Sequence, residues 1–165
     1  MTQKTNENYS KIIPIWRFIL LSIITFGIYE LVWFYKNWKF LKVEQNLKIT
    51  PILRTIFSII FAGSFAGYLK TFLKEKNISA KFSPTLIGIY YFIIAILWKL
   101  PDPYSLITIF SFMPLLPLVN SMNKFWQSQE QNLAQKKFTW WQIILIIIGI
   151  IIILLYVFAA FLPEL

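Results

Sequence analysis

Residues 143–157 read IILIIIGIIIILLYV, a run in which only Gly149 and Tyr156 fall outside the aliphatic set. The apolar segment that contains this run extends over about residues 140–162, and a helix needs roughly 20 apolar residues to cross a bilayer. A helix without a polar face has nothing to present to water. The run therefore predicts a transmembrane helix that contacts lipid over much of its surface.

The composition of the whole chain indicates the same environment. The 165 residues are 58% hydrophobic and 14% charged, against roughly 45–50% and about 25% in soluble domains. Too few polar residues remain to cover a water-soluble fold of this size. The length predicts a single domain over residues 1–165, and the abundance of Ile, Lys, Asn and Phe is typical of an AT-rich bacterial genome. We therefore expect a multi-pass protein of a bacterial inner membrane.

Four further apolar segments precede this helix. They lie at about residues 12–35, 51–73, 85–100 and 104–119. The last two are separated by Pro101-Asp102-Pro103, and since neither proline can continue a helix, they should form a helical hairpin with Asp102 in its turn. The predicted fold class is all-α, a polytopic helical integral membrane protein with four to five hydrophobic helices.

Two finer predictions concern the region after this turn. Pro114 and Pro117 should kink or end the fourth helix, because proline interrupts helical hydrogen bonding. Residues 120–139 are polar and glutamine-rich, with a few apolar side chains such as Phe125 and Leu133. This pattern predicts an interfacial helix that lies along the membrane surface.

Tryptophan marks the ends of the apolar segments. The seven tryptophans all lie near such an end: Trp16, Trp33, Trp38, Trp98, Trp126, Trp140 and Trp141. An indole ring is favoured at the headgroup level, where its body meets the apolar layer and its N–H meets water. The pattern predicts aromatic belts at the membrane surface.

The chain contains no cysteine and no histidine. This excludes disulfides, thiol nucleophiles, Cys/His metal sites and histidine bases, so we predict no catalytic residue, no metal and no cofactor. The net charge of +9 comes from basic residues that flank the apolar segments, where such residues control insertion and contact anionic lipid. We therefore expect membrane lipids, and not nucleic acid, as partners.

The distribution of lysine and arginine leaves two topologies open. Five spans with the N-terminus inside would place ten basic residues inside and six outside. Four spans, with residues 51–73 in the interface or dipping without crossing, would place twelve inside and four outside, with both termini outside. The positive-inside rule favours four spans, whereas hydropathy favours five, since residues 56–69 are apolar enough to cross.

The residues Thr25, Gly27 and Tyr29 in LSIITFGIY (21–29), followed by WFYKNW (33–38), carry a family resemblance. The stretch resembles a family of uncharacterised bacterial membrane proteins, a domain of unknown function with a T-x-G-x-Y pattern followed by W-x-Y. With the later P-x-x-R-x-x-F pattern from Pro51, the resemblance covers mainly residues 12–75. It implies a small bacterial membrane protein and transfers no activity, substrate or catalytic residue.

Glu30 is the only carboxylate inside an apolar segment, where an ionisable group is costly and often functional. One interpretation is a proton or cation site. The other is a structural ion pair with Arg54, which begins the next segment at a similar depth. Lys36 is a competing partner, but it lies six residues away and so off the helical i,i+3 and i,i+4 spacing. Arg17 should snorkel toward the headgroups.

A small-residue face provides a second candidate site. Residues 62–67 read AGSFAG and contain two overlapping pairs, Ala62 with Ala66 and Gly63 with Gly67. Such pairs let helices approach closely, either within this chain or between copies. Elsewhere, Asn120 and Asn123 could line a polar cavity or cap a helix end.

Three functional classes can be ranked from these observations. An enzyme is disfavoured, because no acid and base can be paired. The alternative is an oligomeric ion channel or small-solute transporter that uses Glu30, since proline-interrupted helices and an intramembrane acid are features of solute paths. The expected function is a non-enzymatic membrane protein, a scaffold, regulator or partner subunit that associates with itself or with another membrane protein.

Overall fold

The computed structural model describes residues 12–101, 104–129 and 138–161, which form seven α-helices, two 3-10 segments and no strand. The all-helical class is therefore confirmed for these residues. The α-helices are α1 Ile15–Ile24, α2 Ile28–Glu44, α3 Pro51–Ile56, α4 Ser58–Glu75, α5 Pro84–Ile96, α6 Leu116–Gln129 and α7 Trp140–Phe161. The 3-10 segments are Leu97–Lys99 and a longer one, Tyr104–Leu115. Within the described ranges, no helix unites the length with the apolar character that passage through a membrane requires.

The first apolar segment does not form the single helix predicted over 12–35, because the chain reverses between α1 and α2. Phe26 (φ 49°) and Gly27 (φ 84°) both adopt left-handed backbone conformations. The N–H of Gly27 closes the end of α1 by bonding the carbonyl five residues earlier at 2.9 Å, a common helix stop. α2 returns beside α1, since the Phe18 ring packs edge to face on Trp33 at 5.8 Å.

Thr25 joins the two helices of this first hairpin. Its hydroxyl donates to the Leu21 carbonyl of α1 at 2.7 Å and accepts the Tyr29 N–H of α2 at 3.0 Å. Backbone groups at helix ends lack partners within their own helix. One buried side chain thus bonds the last turn of α1 and the first turn of α2.

The second apolar segment, predicted as one helix over 51–73, also reverses. α3 packs back along α2, and α4 begins after a one-residue break. α4 runs in the same direction as α2, because Phe65 lies 5.3 Å from Phe34 and, further along both helices, Phe72 lies 5.3 Å from Phe40. α3 and α4 therefore form a second hairpin that packs against the first.

Both hairpins open toward one end of the molecule, which we call the basic end. The amide of Gln45, just past α2, donates to the Tyr68 carbonyl of α4 at 3.0 Å, so the connection after α2 lies beside the C-terminal half of α4. Exposed lysines from both helices and their connections gather here: Lys39, Lys42, Lys48, Lys74, Lys76 and Lys81. Both topologies left open by the charges took residues 12–35 as one spanning helix, which the reversal at Gly27 does not form.

α5 leads away from the basic end and the longer 3-10 segment returns toward it. The Phe82 carbonyl, just before α5, accepts the Lys70 ammonium of α4 at 3.0 Å. Tyr91, two turns into α5, reaches Glu30 at the opposite end of α2. α5 and the longer 3-10 segment pack together, as expected of the predicted hairpin. Asp102, predicted in its turn, lies outside the described residues.

The fourth apolar segment forms the longer 3-10 segment, which ends at Leu115 between Pro114 and Pro117, so the predicted helix end at these prolines is confirmed. Pro114 lies inside the longer 3-10 segment. Pro117 is the second residue of α6, where a fixed φ and a missing N–H are tolerated because the first helical N–H groups have no intrahelical acceptor. The helix then continues to Gln129.

α6 carries part of the polar stretch 120–139 into the core, so the predicted interfacial helix is wrong for residues 120–129. Phe125 is buried, while Leu133 lies outside the described residues. Asn123 clamps the backbone of Ile13, accepting its N–H at 3.0 Å and donating to its carbonyl at 2.7 Å. The chain before α1 is thereby fixed to α6, whose Phe125 packs at the basic end.

The surface position predicted for Arg17 and for two tryptophans is also wrong. Trp33 and Trp38 are 2% and 0% exposed, within a chain of edge-to-face aromatic rings that links α1, α2 and α4. Arg17 is buried as well, and its guanidinium lies 4.2 Å from the Phe138 ring. Among the tryptophans whose side chains the structure describes, Trp16, Trp140 and Trp141 are exposed, as a belt would require.

α7 packs on α1 through its glycine. Gly149 lies so close to Ile24 that an added Cβ would overlap the Ile24 carbonyl group. Near the start of α7, the amide of Gln142 donates to the Tyr29 hydroxyl at 3.1 Å. The helix therefore runs beside the first hairpin and continues past its turn.

Candidate binding cleft at Glu30

Glu30 lies in the first turn of α2, directly after the reversal at Gly27. Its backbone N–H bonds the Gly27 carbonyl at 3.0 Å, and its side chain is only 1% exposed. The partial positive charge at a helix N-terminus favours an acid in this turn. The reversal thus places the acid at the inner end of the first hairpin, away from the basic end.

Two hydroxyl groups from later in the chain donate to the Glu30 carboxylate. Tyr91 of α5 donates to Oε2 at 3.1 Å, and Ser111 of the longer 3-10 segment donates to Oε1 at 2.7 Å. Ser58, the first residue of α4, hydrogen-bonds the Tyr91 hydroxyl. Three elements of the fold therefore meet at one carboxyl group, and α4 joins them through Tyr91.

A cleft opens directly beside this polar cluster. Its volume of about 350 Å³ is at the small end of the range for small-molecule sites. The remaining wall contains Thr108 and otherwise apolar side chains: Phe26, Ile28, Leu31, Ile56, Ile59, Ala95 and Ile109. Gly27 lines the cleft without a side chain, and a Cβ there would lie 3.8 Å from Glu30 Oε1. The carboxyl group therefore borders the cleft beside Gly27, where its neighbours cover it almost completely.

The structure does not bring Arg54 to Glu30, so the predicted ion pair is not formed. α3 packs along the middle of α2 and directs the guanidinium of Arg54 into a group of aromatic rings. Their centroids lie at short distances from it: Trp38 at 4.6 Å, Phe61 at 5.2 Å and Tyr68 at 5.5 Å. The guanidinium also donates to Ser64 at 3.4 Å. Aromatic faces attract a cation by about 0.5–1 kcal/mol each at exposed sites, which accounts for this position without a carboxylate.

Because Glu30 and Arg54 have separate partners, we expect E30Q and R54Q to lower the free energy of unfolding additively. A double-mutant cycle in detergent should give a coupling energy below about 0.5 kcal/mol. R54K provides the control, since it keeps the charge but loses the planar stacking surface, and it should cost less than R54Q. A coupling energy well above about 1 kcal/mol would instead show that Glu30 and Arg54 form an ion pair.

The small-residue face is used inside the chain. Ala62 and Ala66 are fully buried. Gly63 meets Gly88 of α5, and a Cβ added at Gly63 or at Gly88 would lie 3.3 or 3.0 Å from the Cα of the other glycine. Gly67 has open space beside it. The small-residue face therefore joins α4 to α5. Gly67 is the part of this face that still has room for contact with another helix.

Sequence reasoning did not single out Tyr91, Ser111 or Ser58. Hydroxyl groups inside apolar segments were the available signal, since a polar group in such a segment needs a partner. Which hydroxyls meet could not be predicted, because 61 and 81 residues separate Tyr91 and Ser111 from Glu30. Among the described residues, no group of three or more acidic side chains could hold a metal ion. One carboxyl group with hydroxyl donors is suited to holding a proton or a cation.

Comparison with protein-family models, with curated proteins and with solved structures finds no match for this chain. The resemblance noted over residues 12–75 therefore stays a prediction. Its three motif residues nevertheless act together in the structure. Thr25 bonds both helices of the first hairpin, Gly27 reverses the chain, and Tyr29 accepts a hydrogen bond from α7.

Proposed function

We propose that this chain is a non-enzymatic, polytopic helical protein of a bacterial inner membrane that acts as a scaffold, regulator or partner subunit. The observation that supports this most is the surface of α7. Large apolar side chains are exposed along the helix: Trp140, Trp141, Ile143, Ile144, Ile147, Ile148, Ile150, Ile151, Ile152, Ile153, Leu154, Leu155 and Phe158. Contiguous apolar surface of this kind marks a membrane or protein contact, because leaving it in water is costly.

The surface of α5 and the basic end support the same proposal. Exposed apolar residues recur along α5: Leu86, Ile89, Tyr90, Phe92, Ile93 and Ile96. The exposed lysines of the basic end would meet anionic headgroups, and the positive-inside rule would place that end in the cytoplasm. Both hairpins would then enter the bilayer from the cytoplasmic side and return to it, with Glu30 at their inner end.

We expect cysteines at Lys48 and Lys81 to be protected from a membrane-impermeant thiol reagent in intact cells, and a cysteine at Lys99 to be labelled. All three lysines are exposed, but Lys99 follows α5 at the end opposite the basic end. The native chain has no cysteine, so each label reports one position. Permeabilised cells are the control and should label all three variants. Equal labelling in intact cells, or recovery of the protein in the soluble fraction, would contradict the proposal.

An oligomeric ion channel or small-solute transporter that uses Glu30 is the second candidate. It is favoured by the cleft beside Glu30, which lies where short hairpin helices meet, as in the discontinuous helices of transporters. Ion or solute flux into liposomes that is lost in E30Q would favour this function over a scaffold.

A further inference from the structure

We propose that the Glu30 cleft binds a monovalent organic cation, with a primary ammonium group at the carboxylate and an apolar body along the wall of the cleft. The proposal goes beyond the proposed function and does not depend on it, because binding can be measured on purified protein in detergent. Three features of the cleft carry it: the charge state of the cluster, the unused acceptors and the chemistry of the wall.

The polar cluster lacks a positive charge. Within residues 12–101, 104–129 and 138–161, Glu30 forms no ion pair, and its partners are the neutral hydroxyls of Tyr91 and Ser111. Removing a carboxylate from water is costly unless it takes up a proton or a cation compensates for it. An ammonium group in the cleft would supply that compensation. An anion would be disfavoured, because the Glu30 carboxylate already occupies the helix N-terminus that would otherwise attract it.

The cluster also retains hydrogen-bond acceptors. A carboxylate offers about four lone-pair positions, and the two hydroxyl donors occupy one on each oxygen. The Ser111 oxygen, having donated its proton, can still accept, whereas the Tyr91 oxygen already faces Ser58. An ammonium group carries three N–H donors and no acceptor. Its donors therefore match what this cluster leaves open on the side of Gly27, where no side chain intervenes.

The wall selects an organic body over a hydrated ion. A cleft of about 350 Å³ has the volume of roughly ten water molecules, far more than one bare ion fills. Side-chain oxygens are confined to one part of the cleft, at Glu30, Ser58, Tyr91, Thr108 and Ser111. The opposite wall, with Ile28, Leu31, Ile56 and Ile59, offers none to replace the water shell of an inorganic cation. An alkyl chain gains by leaving water against the same wall.

The test compares n-hexylammonium with hexan-1-ol, which has the same chain without the charge, by calorimetry on purified protein in detergent. We expect hexylammonium to bind at least tenfold more tightly than hexanol. E30Q should weaken hexylammonium binding roughly ten- to hundredfold, which is the loss of one charge-assisted contact. E44Q is the matched control, since Glu44 is an exposed acid on the same helix, and it should bind as the native protein does.

A95F provides an independent variant that keeps the carboxylate and fills the cleft, since Ala95 lies on its wall. It should weaken hexylammonium binding while the melting temperature without ligand stays close to the native value. Equal binding of hexanol and hexylammonium, or full binding by A95F, would overturn the proposal. Stabilisation by sodium ions that is lost in E30Q, together with no binding of hexylammonium, would assign the site to an inorganic cation instead.

Discussion

Gly149→Ala is expected to lower the free energy of unfolding by about 1–3 kcal/mol, the usual cost of overpacking a close contact. A Cβ at this position would overlap the Ile24 carbonyl group, and backbone cannot move aside as a flexible side chain can. Gly67→Ala is the matched control in α4. Nothing lies within 4 Å of the position its Cβ would take, so the better helix propensity of alanine should stabilise the protein by up to about 1 kcal/mol.

Thermal unfolding in detergent should give a lower melting temperature for G149A and a higher one for G67A. A second readout follows the docking of α7 itself. A cysteine at Leu145, which is half-buried against the core, should react faster with a thiol reagent in the G149A background than in the native background. Two equal shifts in melting temperature, or an unchanged reaction rate at residue 145, would show that α7 does not pack on α1 at Gly149.

Thr25→Val is expected to lower the free energy of unfolding by about 1–3 kcal/mol, because it removes the acceptor of a buried N–H while keeping the shape of the side chain. In the native protein the hydroxyl bonds the Leu21 carbonyl and the Tyr29 N–H, and the residue is 4% exposed. Valine would leave the Tyr29 N–H without this partner at the turn of the first hairpin.

Thr25→Ser is the control, since it keeps the hydroxyl and loses one methyl group. We expect it to retain most of the native stability, and the difference between the two variants isolates the hydroxyl. If serine and valine were equally destabilising, the methyl group and not the hydrogen bonds would explain the effect.

The sequence predicted helices and their approximate locations, because continuous apolar runs and proline positions act locally. It missed the reversal at Gly27 within the first apolar segment. Hydropathy alone does not distinguish a continuous helix from two helices when the turn residues, here Phe26 and Gly27, do not interrupt the apolar character. The sequence did contain one signal of the turn, because glycine readily adopts a left-handed conformation.

The candidate site was predicted in part. Glu30 could be singled out because an acid in an apolar segment is costly wherever it lies. Its partners could not, since pairing depends on which helices meet. The expected partner, Arg54, was chosen because charges attract, yet the second hairpin returns before α4 and carries Arg54 to the rings of Trp38 and Tyr68. Tertiary packing decided between an ionic and an aromatic partner.

The clamp of Asn123 on Ile13 determines when the N-terminal part of the molecule can finish assembling. The two residues are 110 positions apart, and ribosomes add about 5–20 residues per second. The backbone of Ile13 is therefore synthesised roughly 5–20 s before the Asn123 amide that binds it. The bond from Gln142 to Tyr29 closes later still, across 113 residues. A nascent chain that stalls before α6 would carry the first hairpin without either of these two anchors.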